Sequence, residues 1–230
     1  MSDGERSNRQ VQIKTRDRVR ELAEVYTHER EVRAMLDLVP DMFPTTAAGT
    51  DIKFLEPACG SGNFLEEILN RKLQGIRFSA IRSVGAYEHR ILRAVASVYG
   101  VDVCAENVAE ARERMIAEVR SHFYNDANTI DPTAAFISAA RTILTTNIVC
   151  ADFLADAATT ETIDYQPVRG GYFLRVWSML DDSAVETEPD LFHQVPEPKR
   201  DEVRVHYRDL ATTPNPARAE SSTPPTRRTA

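Results

Sequence analysis

Residues 54–65 read Phe54-Leu55-Glu56-Pro57-Ala58-Cys59-Gly60-Ser61-Gly62-Asn63-Phe64-Leu65. A short apolar run closes on an acid, a loop follows with two glycines spaced G-x-G, and Phe64 and Leu65 begin a helical pattern. The string predicts a strand, a tight loop and the first turn of a helix. Glycines without a Cβ let a ligand lie against bare backbone at the carboxyl edge of a parallel sheet. The same string also reads as an ordinary strand-to-helix turn, so its meaning depends on what surrounds it.

Working outward, strands and helices alternate. Lys53 to Glu56 forms the first strand. A helix from Gly60 to Leu73 carries Phe64, Leu65, Ile68 and Leu69 on one face. A second helix is expected over Phe78–Ser97, then a strand at Val98-Tyr99-Gly100-Val101-Asp102-Val103. Glu106–Phe123 is an amphipathic helix whose charges (Glu110, Arg112, Glu113, Arg114, Glu118, Arg120) suit a solvated face with local ion pairs. Another helix runs from Pro132 to Ile143, and the third strand spans Thr146 to Asp152. Beyond Leu154 the pattern weakens, and Gly170–Met179 alternates like one more strand, at a sheet edge. Alternating strands and helices argue for an α/β chain with a parallel sheet.

Upstream, Thr15–Leu38 suggests two helical pieces around a break at Tyr26-Thr27, followed by a linker containing Pro40 and Pro44. The expected organisation is a disordered N-terminus over 1–14 and a helical segment over 15–46. A ligand-binding domain over 47–180, an irregular extension over 181–210 and a disordered tail over 211–230 complete it.

The bulk numbers restrict the partners. The 230 residues carry a net charge of −7, so nucleic-acid contact requires a local basic face or a second subunit. No apolar run is long enough for a membrane span, and residues 1–14 lack a signal-peptide core. Cys59, Cys104 and Cys150 have no paired spacing and fit no zinc pattern; they read as small buried residues of a reduced, cytoplasmic protein.

Three strands end on or near an acid: Glu56, Asp102 and Asp152. An acid after the second strand can accept both hydroxyls of a ribose, and one after the third can accept from an adenine amine. Two phosphates would be repelled by that much negative charge, whereas a sulfonium with a zwitterionic amino-acid tail would not. The expected cofactor is therefore S-adenosylmethionine rather than a dinucleotide. Asp102 and Asp152 also read as helix N-caps or solvated strand ends.

In this ordered series the chain resembles the S-adenosylmethionine-binding half of adenine-specific DNA methyltransferases, the methylase subunits of restriction-modification systems. The resemblance covers residues 18–154. Glu56-Pro57-Ala58-Cys59-Gly60-Ser61-Gly62-Asn63-Phe64 is similar to the family's Asp/Asn-Pro-Ala/Pro-x-Gly-x-Gly-x-Phe loop, with Glu56 replacing the opening Asp or Asn. Ala23-Glu24-Val25-Tyr26-Thr27-His28 partly matches a Gly-Glu-Val-Phe-Thr-Pro phrase that contacts the methionine carboxylate; Ala23 and His28 depart from it. Thr27 reads equally as a helix cap after a break. The resemblance makes Asp102 the ribose-binding acid and Asp152-Phe153 the pair that holds and covers the adenine. It implies a Rossmann-like methyltransferase fold whose parallel sheet, flanked by helices, is incomplete.

The family's catalytic Asn/Asp-Pro-Pro-Tyr/Phe motif is absent, and its nearest counterpart, Asp164-Tyr165-Gln166-Pro167, lacks the double proline and the following aromatic. In the family, that motif's carbonyls accept the hydrogens of the adenine amine and its aromatic residue stacks on the flipped base. A βα repeat takes roughly 30 residues, so residues 155–210 are too few to complete the sheet. The expectation is a methylase subunit that binds the methyl donor and meets DNA in a complex. A partner subunit would carry the catalytic motif and target recognition. A non-catalytic assembly module, and a methyltransferase with a non-DNA substrate, are the alternatives.

Overall fold

The computed structural model describes residues 27–44, 46–127, 130–180 and 199–214. The expected N-terminal tail over 1–14, residues 215–230 of the expected C-terminal tail, and Tyr26 lie outside the described residues. The chain divides into two compact units, Met1–Pro40 and Asp41–Ala230. The first contributes α1 (Glu29–Leu36), with Val32 and Leu36 buried at helical spacing and Glu29 and Glu31 favourably placed in its first turn.

The second unit contains two sheets. Three strands, β1 (Phe54–Glu56), β2 (Val98–Asp102) and β3 (Ile148–Cys150), pair in parallel in the order β1-β2-β3. Their register sets Glu56 beside Gly100 and Asp102 beside Cys150. Central β2 is buried from Val98 to Gly100 and at Val101, as expected of a strand covered on both faces. Helices α2 (Asn63–Gln74), α4 (Val84–Ala96), α5 (Ala105–Ala127) and α6 (Ala134–Asn147) flank the sheet, and each touches β2. The unit is thus α/β with a three-stranded parallel sheet.

Sequence explains most of these helices. Leu65, Ile68, Leu69 and Leu73 line the buried stripe of α2. In α5 the buried positions Val108, Ala111, Met115, Ile116, Val119 and Phe123 recur every three or four residues. Thr133 caps α6 by accepting the Phe136 N–H. The single helix expected over Phe78–Ser97 is instead two, α3 (Phe78–Ile81) and α4. Arg82 adopts a left-handed conformation (φ 56°), and Ser83 then caps α4 through the Ala86 N–H. The third strand is shorter than expected because Thr146 and Asn147 complete α6.

After the short helix α7 (Phe153–Asp156), β4 (Glu161–Val168) and β5 (Tyr172–Met179) form an antiparallel hairpin. Strand β6 (Val205–His206) pairs with the opposite side of β5. The Gly170–Met179 segment is therefore the centre of a second sheet and not an edge strand. Its second neighbour comes from residues 200–206, far along the chain. The hairpin meets the parallel sheet near its strand starts. Tyr99 Oη donates to the Ile163 carbonyl (3.2 Å), Asn147 Oδ1 accepts the Ile163 N–H (3.2 Å), and Lys53 pairs with Asp164 (2.9 Å).

Buried charges tie these pieces together. Arg175, only 1% exposed, makes a two-pronged ion pair with Asp201 (2.9 and 3.0 Å) and donates to the carbonyls of Thr213 and Pro214. The Lys72 ammonium is capped by the carbonyls of Ile52 (2.6 Å) and Gly49 (3.1 Å) and lies over the Phe54 ring. Burial lowers its pKa to about 8. Glu88, fully buried, accepts the Thr133 N–H and the Tyr207 hydroxyl, linking α4, α6 and the 3-10 turn Tyr207–Asp209. Among the described residues no helix is long and apolar enough to cross a membrane.

Candidate functional site

The glycine loop leaves β1 at Glu56 and enters α2 at Asn63. Backbone bonds fix its path: the Cys59 N–H donates to Val101 (2.8 Å) and the Gly62 N–H to Cys59 (2.9 Å). Its two glycines have different duties. Gly62 has φ 93°, and a Cβ there would lie 2.8 Å from the Cβ of Ala111, so this glycine permits close packing of loop and α5. Gly60 has φ 51°, and a Cβ there would meet nothing within 4 Å. Open space thus lies over Gly60, flanked by exposed Pro57 and Ala58.

Asp102 joins the loop to the second strand. Its Oδ2 accepts the Gly60 N–H (2.9 Å), while Oδ1 accepts the Cys104 N–H (2.9 Å) and the Asn107 amide (3.3 Å). An ionised carboxylate offers about four acceptor positions, so Asp102 has room for about one further donor. Acceptance of both ribose hydroxyls, the sequence expectation, requires displacing the long Asn107 bond.

Glu56 is half-buried and accepts the Ala58 N–H (3.3 Å). Burial raises its pKa, and the Ala58 bond opposes that rise. Between the two acids, Cys59 is pushed up to about 12 by burial first and then by the charges of Asp102 and Glu56. It is a protonated, inert thiol at neutral pH. Cys59 and Cys104 are buried as expected, but Cys150 is exposed at the end of β3. No group of metal-ligating side chains occurs among the described residues.

Asp152 caps α7: its Oδ1 accepts the Leu154 (2.9 Å) and Ala155 (3.2 Å) N–H groups. Its Oδ2 has no hydrogen-bond partner among the described residues, so cap and ligand roles are compatible. Phe153 begins α7 and is half-buried. Thr27, also half-buried, belongs to the first compact unit.

Three features escaped the sequence reading. Arg114 of α5 donates to Asn63 Oδ1 (2.7 Å) and the Ser61 carbonyl (3.0 Å) and pairs with Glu66, clamping the loop from outside. Arg112 donates to the Ile148 carbonyl (3.0 Å) at the start of β3. The charges of α5 therefore bond across the fold instead of forming a merely solvated face with local pairs. Val103 and Leu154, apolar residues next to Asp102 and Asp152 in the site, are 58% and 94% exposed. Their positions beside the acids were the available signal. Asp164-Tyr165-Gln166-Pro167 lies within β4, with Tyr165 buried and bonded to Thr146 (2.9 Å), which is unlike a loop presenting a base-binding motif.

The arrangement offers acids at adjacent strand ends, a backbone with open space above it, and exposed apolar side chains beside the acids. Comparisons with protein-family models, curated proteins and solved structures found no match.

Proposed function

We propose that this chain is the S-adenosylmethionine-binding subunit of an adenine-specific DNA methyltransferase of the restriction-modification type, with a Rossmann-like methyltransferase fold. The observation that carries the reading is the Gly60–Asp102 junction. It sets open space over a glycine beside a carboxylate that retains acceptor capacity, in a region of negative charge suited to a sulfonium.

The residues fit that cofactor. Asp102 would hold a ribose hydroxyl, and the free Oδ2 of Asp152 would accept from the adenine amine. Phe153, Val103 and Leu154 supply apolar surface for the adenine ring. Pro57, Ala58, Gly60, Gly62, Asn63 and Phe64 shape the loop beneath the donor, with Glu56 at its base. When bound, S-adenosylmethionine supplies an electrophilic methyl group; the chain's residues hold and orient it. A partner subunit carrying the Asn-Pro-Pro-Tyr motif and the target-recognition surface completes the enzyme on DNA. The open side of the loop supports that arrangement, because a covering wall is needed to exclude water.

Calorimetry with S-adenosylmethionine tests the proposal. Saturable binding is expected from the chain alone or with the product of the adjacent gene, with Gly60→Val and Asp102→Ala each weakening it about tenfold or more, about 1.4 kcal/mol. Absence of binding in both preparations overturns the reading.

A further inference from the structure

A cleft of about 710 Å³ lies where α4, the β4–β5 turn and the Tyr207–Asp209 turn converge. None of its lining residues belongs to the glycine loop or the ends of the parallel strands. The volume falls in the range of ligand sites. Four arginines line it: Arg90 and Arg93 from α4, Arg169 from the hairpin turn and Arg208 from the last turn.

These cations are unequally committed. Arg93 makes a two-pronged pair with Asp51. Arg208 lies over the Tyr207 ring and its Nε donates to Tyr207 Oη (3.2 Å), while its terminal nitrogens make no hydrogen bond among the described residues. Arg90 and Arg169 make no hydrogen bond or ion pair there. Arg90 is half-buried, and burial followed by repulsion from Arg93 lowers its pKa. Two acids offset part of this charge: Asp51, paired with Arg93, and buried Glu88, which with Tyr207 supports the Arg208 cation. A cluster of cations on a chain of net charge −7 makes this cleft locally attractive to an anionic ligand.

We propose that this cleft binds the phosphodiester backbone of nucleic acid. Guanidinium forks match phosphate oxygens in geometry and charge. The rings that line the cleft are already packed: Tyr207 is 1% and His89 9% exposed, and half-buried His206 lies against the Tyr172 and Tyr207 rings at 5.0 and 4.7 Å between centroids. Bases therefore find no bare ring to stack on, which favours backbone contact over recognition of a free nucleotide. The ligand class rests on the proposed DNA function, whereas the arginine cluster lies apart from the residues assigned to the methyl donor.

The test is fluorescence anisotropy of a short labelled duplex with the full chain, between about 50 and 200 mM salt. The variant R90Q/R169Q/R208Q is compared with R30Q/R33Q/R120Q, which has the same net charge, after thermal melting confirms that both fold. Wild type and the control should bind, with affinity falling as salt rises. The cleft variant should bind about tenfold or more weakly, its salt slope reduced by about 0.9 for each phosphate that is no longer neutralised. Equal binding by the cleft variant overturns the proposal. So does saturable ATP binding that depends on these arginines without any duplex binding, which would assign the cleft to free nucleotides. Calorimetry with S-adenosylmethionine on the cleft variant should match wild type. Donor binding and duplex binding therefore fail separately.

Discussion

At the carboxyl end of the parallel sheet, Asp102 and Asp152 bond to backbone N–H groups and keep acceptor capacity in reserve. In the hairpin sheet, Arg175 and Asp201 engage each other, and Arg175 uses its remaining donors on two carbonyls. Glu88 similarly divides its two oxygens between one N–H and one hydroxyl. The difference separates positioning from fastening. Polar groups at the glycine loop remain able to bind something else, whereas those under the hairpin sheet hold distant segments together. The two regions should therefore respond oppositely to mutation: ligand affinity should change most at the loop and global stability most at the ion pair.

The largest stability effect is expected at Asp201. Asp201→Ala leaves Arg175 buried without its counter-ion, and removing one member of a buried pair costs about 3–5 kcal/mol. Urea unfolding should show it as a lower midpoint. Joint replacement, Arg175→Met with Asp201→Leu, should recover most of that loss, because it removes both charges. A loss below about 1 kcal/mol for Asp201→Ala would break the assignment of a fastening role to this pair.

The two loop glycines make the contrast within a single turn. Gly62→Ala combines a left-handed backbone with a 2.8 Å approach to Ala111, so a cost of about 2–4 kcal/mol is expected. Gly60→Ala has open space around its new methyl group and carries only the conformational cost, about 1–2 kcal/mol. Denaturant midpoints would check the pair. Equal losses would show that the space over Gly60 is occupied in the folded protein.

A smaller effect should appear on acidification. Burial lowers the His89 pKa to about 4, outweighing its bond to the Tyr172 carbonyl, with Arg93, Arg90 and His206 adding repulsion. In the unfolded chain histidine titrates near 6.5. Its stabilising contribution is therefore present above about pH 6.5 and is lost as pH falls toward 4. Tm should fall by several degrees between about pH 7 and 5. His89→Gln, which can still donate to Tyr172, should flatten part of that fall. His122 is also shifted downward by burial and should leave a residual slope.

The parallel sheet was largely legible because local chemistry specifies it. The glycine loop, the apolar stripes of α2 and α5 and the strand-closing acids all act over a few residues. The break before α4 was not legible, since Arg82 enters a left-handed conformation without a glycine or proline to announce it. Strand β4 was hidden by Asp164, Gln166 and Pro167, polar or ring-constrained residues in a segment only partly buried. The central place of β5 depends on Val205, and the burial of Arg175 depends on Asp201. Such pairings leave no local periodicity. The same limit applies at the candidate site: residue types identified Asp102, but only the fold shows that Gly60, Cys104 and Asn107 already occupy most of its acceptor capacity.

Asp152 gives the smallest expected stability effect and the sharpest separation of the two roles. Its carboxylate caps a helix of only four residues at an exposed position, so Asp152→Ala should cost about 0.5–1 kcal/mol. Asp152→Asn retains a side-chain oxygen for the cap but presents an amide in place of the second carboxylate oxygen. Stability should therefore stay near wild type in Asp152→Asn. Affinity for S-adenosylmethionine should fall, because the free Oδ2 that would accept from the adenine amine becomes a donor. Unfolding midpoints and calorimetry on the two variants check the prediction together. If affinity follows the cap, lost in Asp152→Ala and intact in Asp152→Asn, Asp152 acts by ordering α7 and not by direct contact with the adenine.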